Sequence, residues 1–183
     1  MTISDVIKGL VGFAAAAFML YFPYVWCSRR GRNEFDYGLR WFMGPAACRD
    51  VVLALLLTLV PLTWVSYNWP RSLGVGGPFS PSLMSALNML GGGVAAAFVE
   101  EPFFRGFLQS TLVKKLGAPL AIVLTSALFA LSHLFVAPSW LRLATFFPGL
   151  VMGFLRYRHG SIMPSVIYHA LCNVWAVWWM PRV

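Results

Sequence analysis

Polar residues are so sparse along this chain that the apolar runs between them can be read off directly. Six runs, 6–26, 51–67, 83–112, 118–136, 140–157 and 162–180, approach the ~20 residues needed to span a hydrocarbon core. The pattern predicts an all-α fold, a polytopic transmembrane helical bundle of about six helices. The third run is too long for a straight span. Gly91, Gly92 and Gly93 mark an expected bend or close-packing point within it, and its last turns are expected along the interface. Pro102, Pro148 and Pro164 should distort their helices, which a membrane tolerates when neighbours satisfy the freed carbonyls. Trp26, Trp41, Trp64, Tyr67, Trp69, Trp140, Tyr157, Trp178 and Trp179 gather at the ends of the runs, where amphipathic rings anchor at the headgroups.

Composition agrees with this reading. The chain is 59% hydrophobic and only 11% charged, with a mean hydropathy of +0.72. That is too little polar surface for a water-soluble domain. The net charge of +8 does not point to nucleic acid, because the basic residues sit between apolar runs instead of along one face. Arg29, Arg30, Arg32, Arg40, Arg49, Lys114, Lys115, Arg156 and Arg158 fall after the first, third and fifth runs, against Lys8, Arg71, Arg142 and Arg182 on the other side. The positive-inside bias makes the first set cytoplasmic and puts both termini outside. Asp5 and Lys8 open the first run and no small-residue cleavage site precedes Cys27, so it reads as a retained helix. Cys27, Cys48 and Cys172 have neither the number nor the spacing of a disulfide framework or a thiolate zinc site.

A Gly/Pro-rich connector, 67–82, divides a two-helix N-terminal segment, 1–82, from a four-helix core, 83–183. No internal repeat is visible, which weakens a transporter of inverted halves.

Only six residues are acidic, and Asp5, Glu34, Asp36 and Asp50 lie near run ends. Glu100 and Glu101 do not. A charged side chain at bilayer depth costs about 2.5–3.5 kcal/mol on insertion scales, so such groups face a polar interior and perform a task. Helical spacing puts Arg105 on the face of Glu101, while Glu100 points about 100° away. One carboxylate is thereby neutralised and the other left for chemistry. His133 stands on the fourth run. His169 and Asn173, four apart on the sixth, share a face and can hold one oxygen between them. At ~1.5 Å per residue, Glu101 lies ~20 Å from the Lys114 end, His133 ~24 Å beyond Gly117, and His169 and Asn173 ~14 and ~20 Å beyond Gly160. These depths overlap. Each residue alone has a packing explanation: a helix-end Glu pair, a bundle histidine, an interhelical Asn. Six polar side chains from three helices at overlapping depth read as a site. His159 takes no role, Phe129 reads as core packing, and Cys172 has no base at helical spacing.

The order Glu100-Glu-Pro-Phe-Phe-Arg105-Gly, then Phe129 to His133, then His169 to Asn173, resembles the CPBP family of CAAX prenyl endopeptidases and bacteriocin-processing relatives, over about residues 83–181. The resemblance implies a glutamate-type intramembrane endopeptidase in a bacterial or archaeal cell membrane. By position, Glu100 would activate water with help from His133. His169 and Asn173 would stabilise the oxyanion, and Glu101 and Arg105 would brace the site. The implied partners are the bilayer and a membrane-anchored protein whose C-terminal tail, a sorting signal or a prenylated end, is the substrate. No cofactor is implied. A zinc ion on Glu100, His133 and His169 stays open, although the H-E-x-x-H pattern is absent and Asn is a poor zinc ligand. Two further classes stay open: a non-catalytic immunity or interaction protein, and a small proton-coupled carrier using Glu100 and the histidines as a relay. The Asn four residues after a histidine favours the protease, because a relay has no need of it.

Overall fold

The structure is a computed structural model that describes residues 2–68, 80–136 and 139–179. Most of the Gly/Pro-rich connector, residues 69–79, lies outside the described residues. The elements are α1 (Ile3–Arg29), a 3-10 turn (Glu34–Tyr37), α2 (Pro45–Asn68), α3 (Leu83–Glu101), a π-helical turn (Pro102–Leu108), α4 (Gln109–Leu116), α5 (Ala118–Val136), a 3-10 helix (Trp140–Thr145), α6 (Phe146–His159) and α7 (Met163–Trp179). Since α3, the π turn and α4 form one rod, the described residues make six helical rods and no strand. The predicted six-helix bundle is present.

Segments Asp5–Arg29, Pro45–Asn68, Leu83–Leu116 and Ala118–Phe135 are long and apolar enough to cross a membrane. The outward faces are lined with Leu, Val and Phe, with Phe135 93% exposed, the reverse of a water-soluble surface and the expected one against lipid tails. α6 and α7 are shorter, with 14 and 17 residues, or ~21 and ~26 Å at 1.5 Å per residue. The fifth run differs from the expected continuous helix. Residues 140–145 are 3-10, and the α-helix begins at Phe146.

The prolines also act differently from expectation. Pro148 and Pro164 fall in the first turns of α6 and α7, where a missing N–H costs nothing. Pro102 opens the π turn, in which the Gln109 N–H bonds to Phe104 O, five residues back. The third run therefore deviates at Pro102, while Gly91–Gly93 continue as regular α-helix. Of those three glycines only Gly93 is a close-packing point: a Cβ there would lie 2.9 Å from the Asn173 Cβ.

The main core joins Val51 of α2, Phe104 of the π turn, Phe129 of α5, Met152 and Leu155 of α6, and Tyr168 of α7. α2 is further tied to α7 through Tyr168 Oη to Thr58 (3.0 Å), Trp175 Nε1 to Thr63 (2.8 Å) and Ser66 Oγ to Trp179 O (2.7 Å). The three basic loops meet at one end. Lys114 Nζ lies 3.8 Å from the centre of the Tyr37 ring, Ile162 N donates to Gly38 O, and Ser161 Oγ donates to Arg40 O or Phe42 O. Gly38, at φ +65°, makes room for the buried Arg156 guanidinium, which a Cβ would meet at 2.6 Å.

Candidate active site

Small residues bring α3 against α7. Ala97, Val166 and Ala170 form a tight apolar contact, and one turn before it Asn173 Nδ2 donates to Gly93 O at 2.8 Å. Just beyond this contact α3 ends in Glu100 and Glu101. Glu101 turns inward and is fully buried, as is Arg105.

The carboxylate oxygen Oε1 of Glu101 accepts from His169 Nδ1 at 3.0 Å and lies within ion-pair distance, 3.3 Å, of Arg105 Nη1. With Nδ1 donating to the carboxylate, the other ring nitrogen, Nε2, is turned toward Glu100. That Nε2 lies 4.0 Å from Oε2 of Glu100. The gap is too long for a direct hydrogen bond and is the span one bridging water fills. Oε2 of Glu100 is buried and has no hydrogen-bond partner among the described residues, although the side chain as a whole keeps 22% exposure. A buried acceptor left unsatisfied is costly, so a bound water or substrate group at this point is physically favoured.

Phe129 joins the remaining groups. Its backbone oxygen accepts from His133 Nδ1 at 2.9 Å, which leaves the His133 Nε2 free. Its ring is near-perpendicular to both imidazoles, at centroid distances of 4.6 Å to His133 and 5.5 Å to His169. The Arg105 guanidinium lies 4.2 Å from the ring centre, a cation–π contact that is stronger where water is excluded. Arg105 also points Nη2 at Gly149 O, 3.4 Å away on α6.

The i, i+4 pairing of Glu101 with Arg105 is formed, and Glu100 is left outside it. His169, not His133, is the imidazole within ion-pair distance of Glu100 among the described residues. His133 reaches the same level through Phe129. Asn173 shares the His169 face of α7, but its amide is engaged with Gly93 while His169 bridges the two glutamates. For zinc, no group of three His, Cys, Asp or Glu side chains among the described residues is arranged to hold a metal ion. Glu100, His133 and His169 as placed do not fit one. Three features escaped the sequence reading. Phe129 packs against Arg105, His133 and His169 instead of only filling space, Gln109 is buried beside Arg105, and Gly149-Leu-Val-Met-Gly153 carries the small-xxx-small spacing that could have flagged close packing at α6.

In this polytopic helical bundle Glu100, Glu101, Arg105 and His169 thus meet where α3 packs on α7. Residues 82–175, just over half of the chain and the whole of the site, match the family model described as Type II CAAX prenyl endopeptidase Rce1-like. The chain belongs to that family, the CPBP family of CAAX-type intramembrane proteases, and is an integral membrane protein. No curated protein and no solved structure matches it.

Proposed function

We propose that this protein is a glutamate-type intramembrane endopeptidase that hydrolyses a peptide bond in the C-terminal tail of a membrane-anchored protein, a sorting signal or a prenylated end, in a bacterial or archaeal cell membrane. The observation that carries this reading is the 4.0 Å gap between Oε2 of Glu100 and Nε2 of His169, with His169 held from behind by Glu101 at 3.0 Å.

A water in that gap has a carboxylate on one side and an imidazole lone pair on the other. Glu100 takes a proton from it as the oxygen adds to the scissile carbonyl carbon. The same proton then passes to the leaving nitrogen as the C–N bond breaks, so the carboxylate is restored and water is divided between the two products. The tetrahedral intermediate carries its negative charge on the former carbonyl oxygen. Asn173 has a second N–H beyond the one given to Gly93 O, and that N–H is the donor available to this oxygen, while His169 keeps its Nε2 lone pair toward the water. Donors of this kind, fixed in a site from which water is largely excluded, act on charge that develops only in the transition state. Arg105 faces Glu101 at 3.3 Å, and Glu101 holds the His169 ring in one orientation from 3.0 Å behind, the part a buried carboxylate plays behind a catalytic imidazole. No step is routed through a metal.

The test compares membrane proteomes of cells making wild-type protein and Glu100→Gln at equal abundance. A C-terminal fragment made only with the wild-type protein supports the reading and identifies the substrate. Full turnover by Glu100→Gln removes it. Purified protein should also keep its activity after extensive chelation. One zinc per chain by elemental analysis, with activity lost on chelation and regained with zinc, would replace the metal-free scheme.

A further inference from the structure

Behind the ion pair runs a second set of polar contacts that the proposed chemistry does not use. Arg105 and Gln109 are four residues apart on the rod that continues α3. Gly149 and Gly153 are four residues apart on α6. Arg105 Nη2 points at Gly149 O at 3.4 Å, and Gln109 Nε2 donates to Gly153 O at 2.9 Å. The same offset on both helices makes these contacts two rungs of one ladder, with Gln109 fully buried. Both carbonyl-bearing positions are glycine for lack of space. A Cβ on Gly149 would lie 3.1 Å from the Ser126 Cβ and 3.4 Å from Arg105 Nη2. A Cβ on Gly153 would lie 2.9 Å from the Ile122 Cγ2 and 3.1 Å from Gln109 Oε1. Side chains at these positions would therefore push α6 away from α5 and from the rod. Helical carbonyls already accept within their own helix, so an outside donor must come close and stay aligned to share one.

We infer that Gln109, Gly149 and Gly153 are positioning residues for the reaction. They fix the register of α6 against the π turn, which sets where Arg105 presents its guanidinium, and through Glu101 how His169 faces Glu100. The π turn gives the device its purpose. Its hydrogen bonding departs from the α pattern across 102–108, so Arg105 is not held in place by regular helix geometry alone. Gln109, at the first residue of regular α4, fastens the far end of that turn to α6. The inference rests on the proposed role of Glu100 and His169, but the position of the His169 ring can be read whether or not that role is correct.

The variants are Gln109→Leu, similar in shape but without the donor, and Gly149→Ala, each made in the full chain and compared with wild type for fold, turnover and the imidazole 15N signals of His169. The expected result is a folded protein with kcat lowered about tenfold for Gln109→Leu and about 10- to 100-fold for Gly149→Ala, at nearly unchanged KM. The Nδ1–H signal of His169 should move as its bond to Glu101 loosens. Ser126→Gly in the Gly149→Ala background removes the atom the new methyl meets, and should restore both kcat and the His169 signal. A merely structural ladder would lower stability and leave kcat per folded molecule and the His169 signal where they are, and that result overturns the inference. If Gln109→Leu does not fold, Gly149→Ala and its Ser126→Gly rescue decide alone: failure of the rescue to restore the signal rejects it. If wild type and Glu100→Gln prove equally active, the catalytic reading fails while the His169 signal still reports on the ladder.

Discussion

Among the described residues, two clusters bring one carboxylate against a guanidinium and an imidazole, and they differ in almost every consequence. At the basic end Asp50 receives Arg158 at 2.7 Å, Arg49 at 3.0 Å and His159 at 3.2 Å, with Arg158 and Arg49 half-exposed or more. At the centre Glu101 accepts from His169 at 3.0 Å and faces Arg105 at 3.3 Å, with Glu101 and Arg105 fully buried. Water screens the first cluster and can replace any partner that leaves. Nothing can do so at the second, where desolvation has already cost several kcal/mol per ion and only the full set of partners offsets it. Shorter distances therefore do not mark the more consequential cluster. Burial does, because it converts each partner from an option into a requirement.

The largest expected effect comes from removing one inner partner. Arg105→Leu leaves the Glu101 carboxylate buried against a single imidazole. It should destabilise the protein by about 3–5 kcal/mol, read as a loss of cooperative melting in detergent. Melting unchanged from wild type would mean that the centre is wetter than described and that the contrast between the clusters fails. The double variant Glu101→Gln/Arg105→Leu sharpens the point. It removes both charges, leaves an acceptor for His169 Nδ1, and should recover much of the stability lost by Arg105→Leu alone.

Next in size is Asn173→Ala, expected to lower kcat by about two orders of magnitude with a smaller change in KM, as for an oxyanion donor. Asn173 also fastens α7 to Gly93, so turnover must be expressed per folded molecule. An unchanged kcat on that basis would assign Asn173 to packing alone. His169→Ala should cost at least as much, and the pair together less than the sum, because groups acting as a unit are not additive. The smallest effect is expected at the basic end. Asp50→Asn should leave turnover unchanged and shift melting less than any inner variant, with the difference shrinking further as salt is raised. A loss of activity there would show that the two ends of the bundle are coupled.

The sequence by itself determined the class and supplied the candidate residues. A run of apolar residues long enough for a bilayer admits only a helix or a closed barrel, because every backbone group must be satisfied without water. Thus six rods could be read from hydropathy alone, though not the 3-10 start of the fifth run or the π turn, which depend on hydrogen bonding around Pro102 and on neighbours far along the chain. The Glu101–Arg105 pairing was likewise legible, since four-residue spacing on a helix is a local rule. Which imidazole meets Glu100 was not. His133 and His169 sit on different helices at overlapping depths, and only the rotation of α7 against α3, set by Ala97, Val166 and Gly93, turned His169 toward the glutamates. The ladder from Arg105 and Gln109 to Gly149 and Gly153 was hidden for the same reason. Periodicity gives the face a side chain shares with its own helix, while the helix it meets across the bundle is decided by packing.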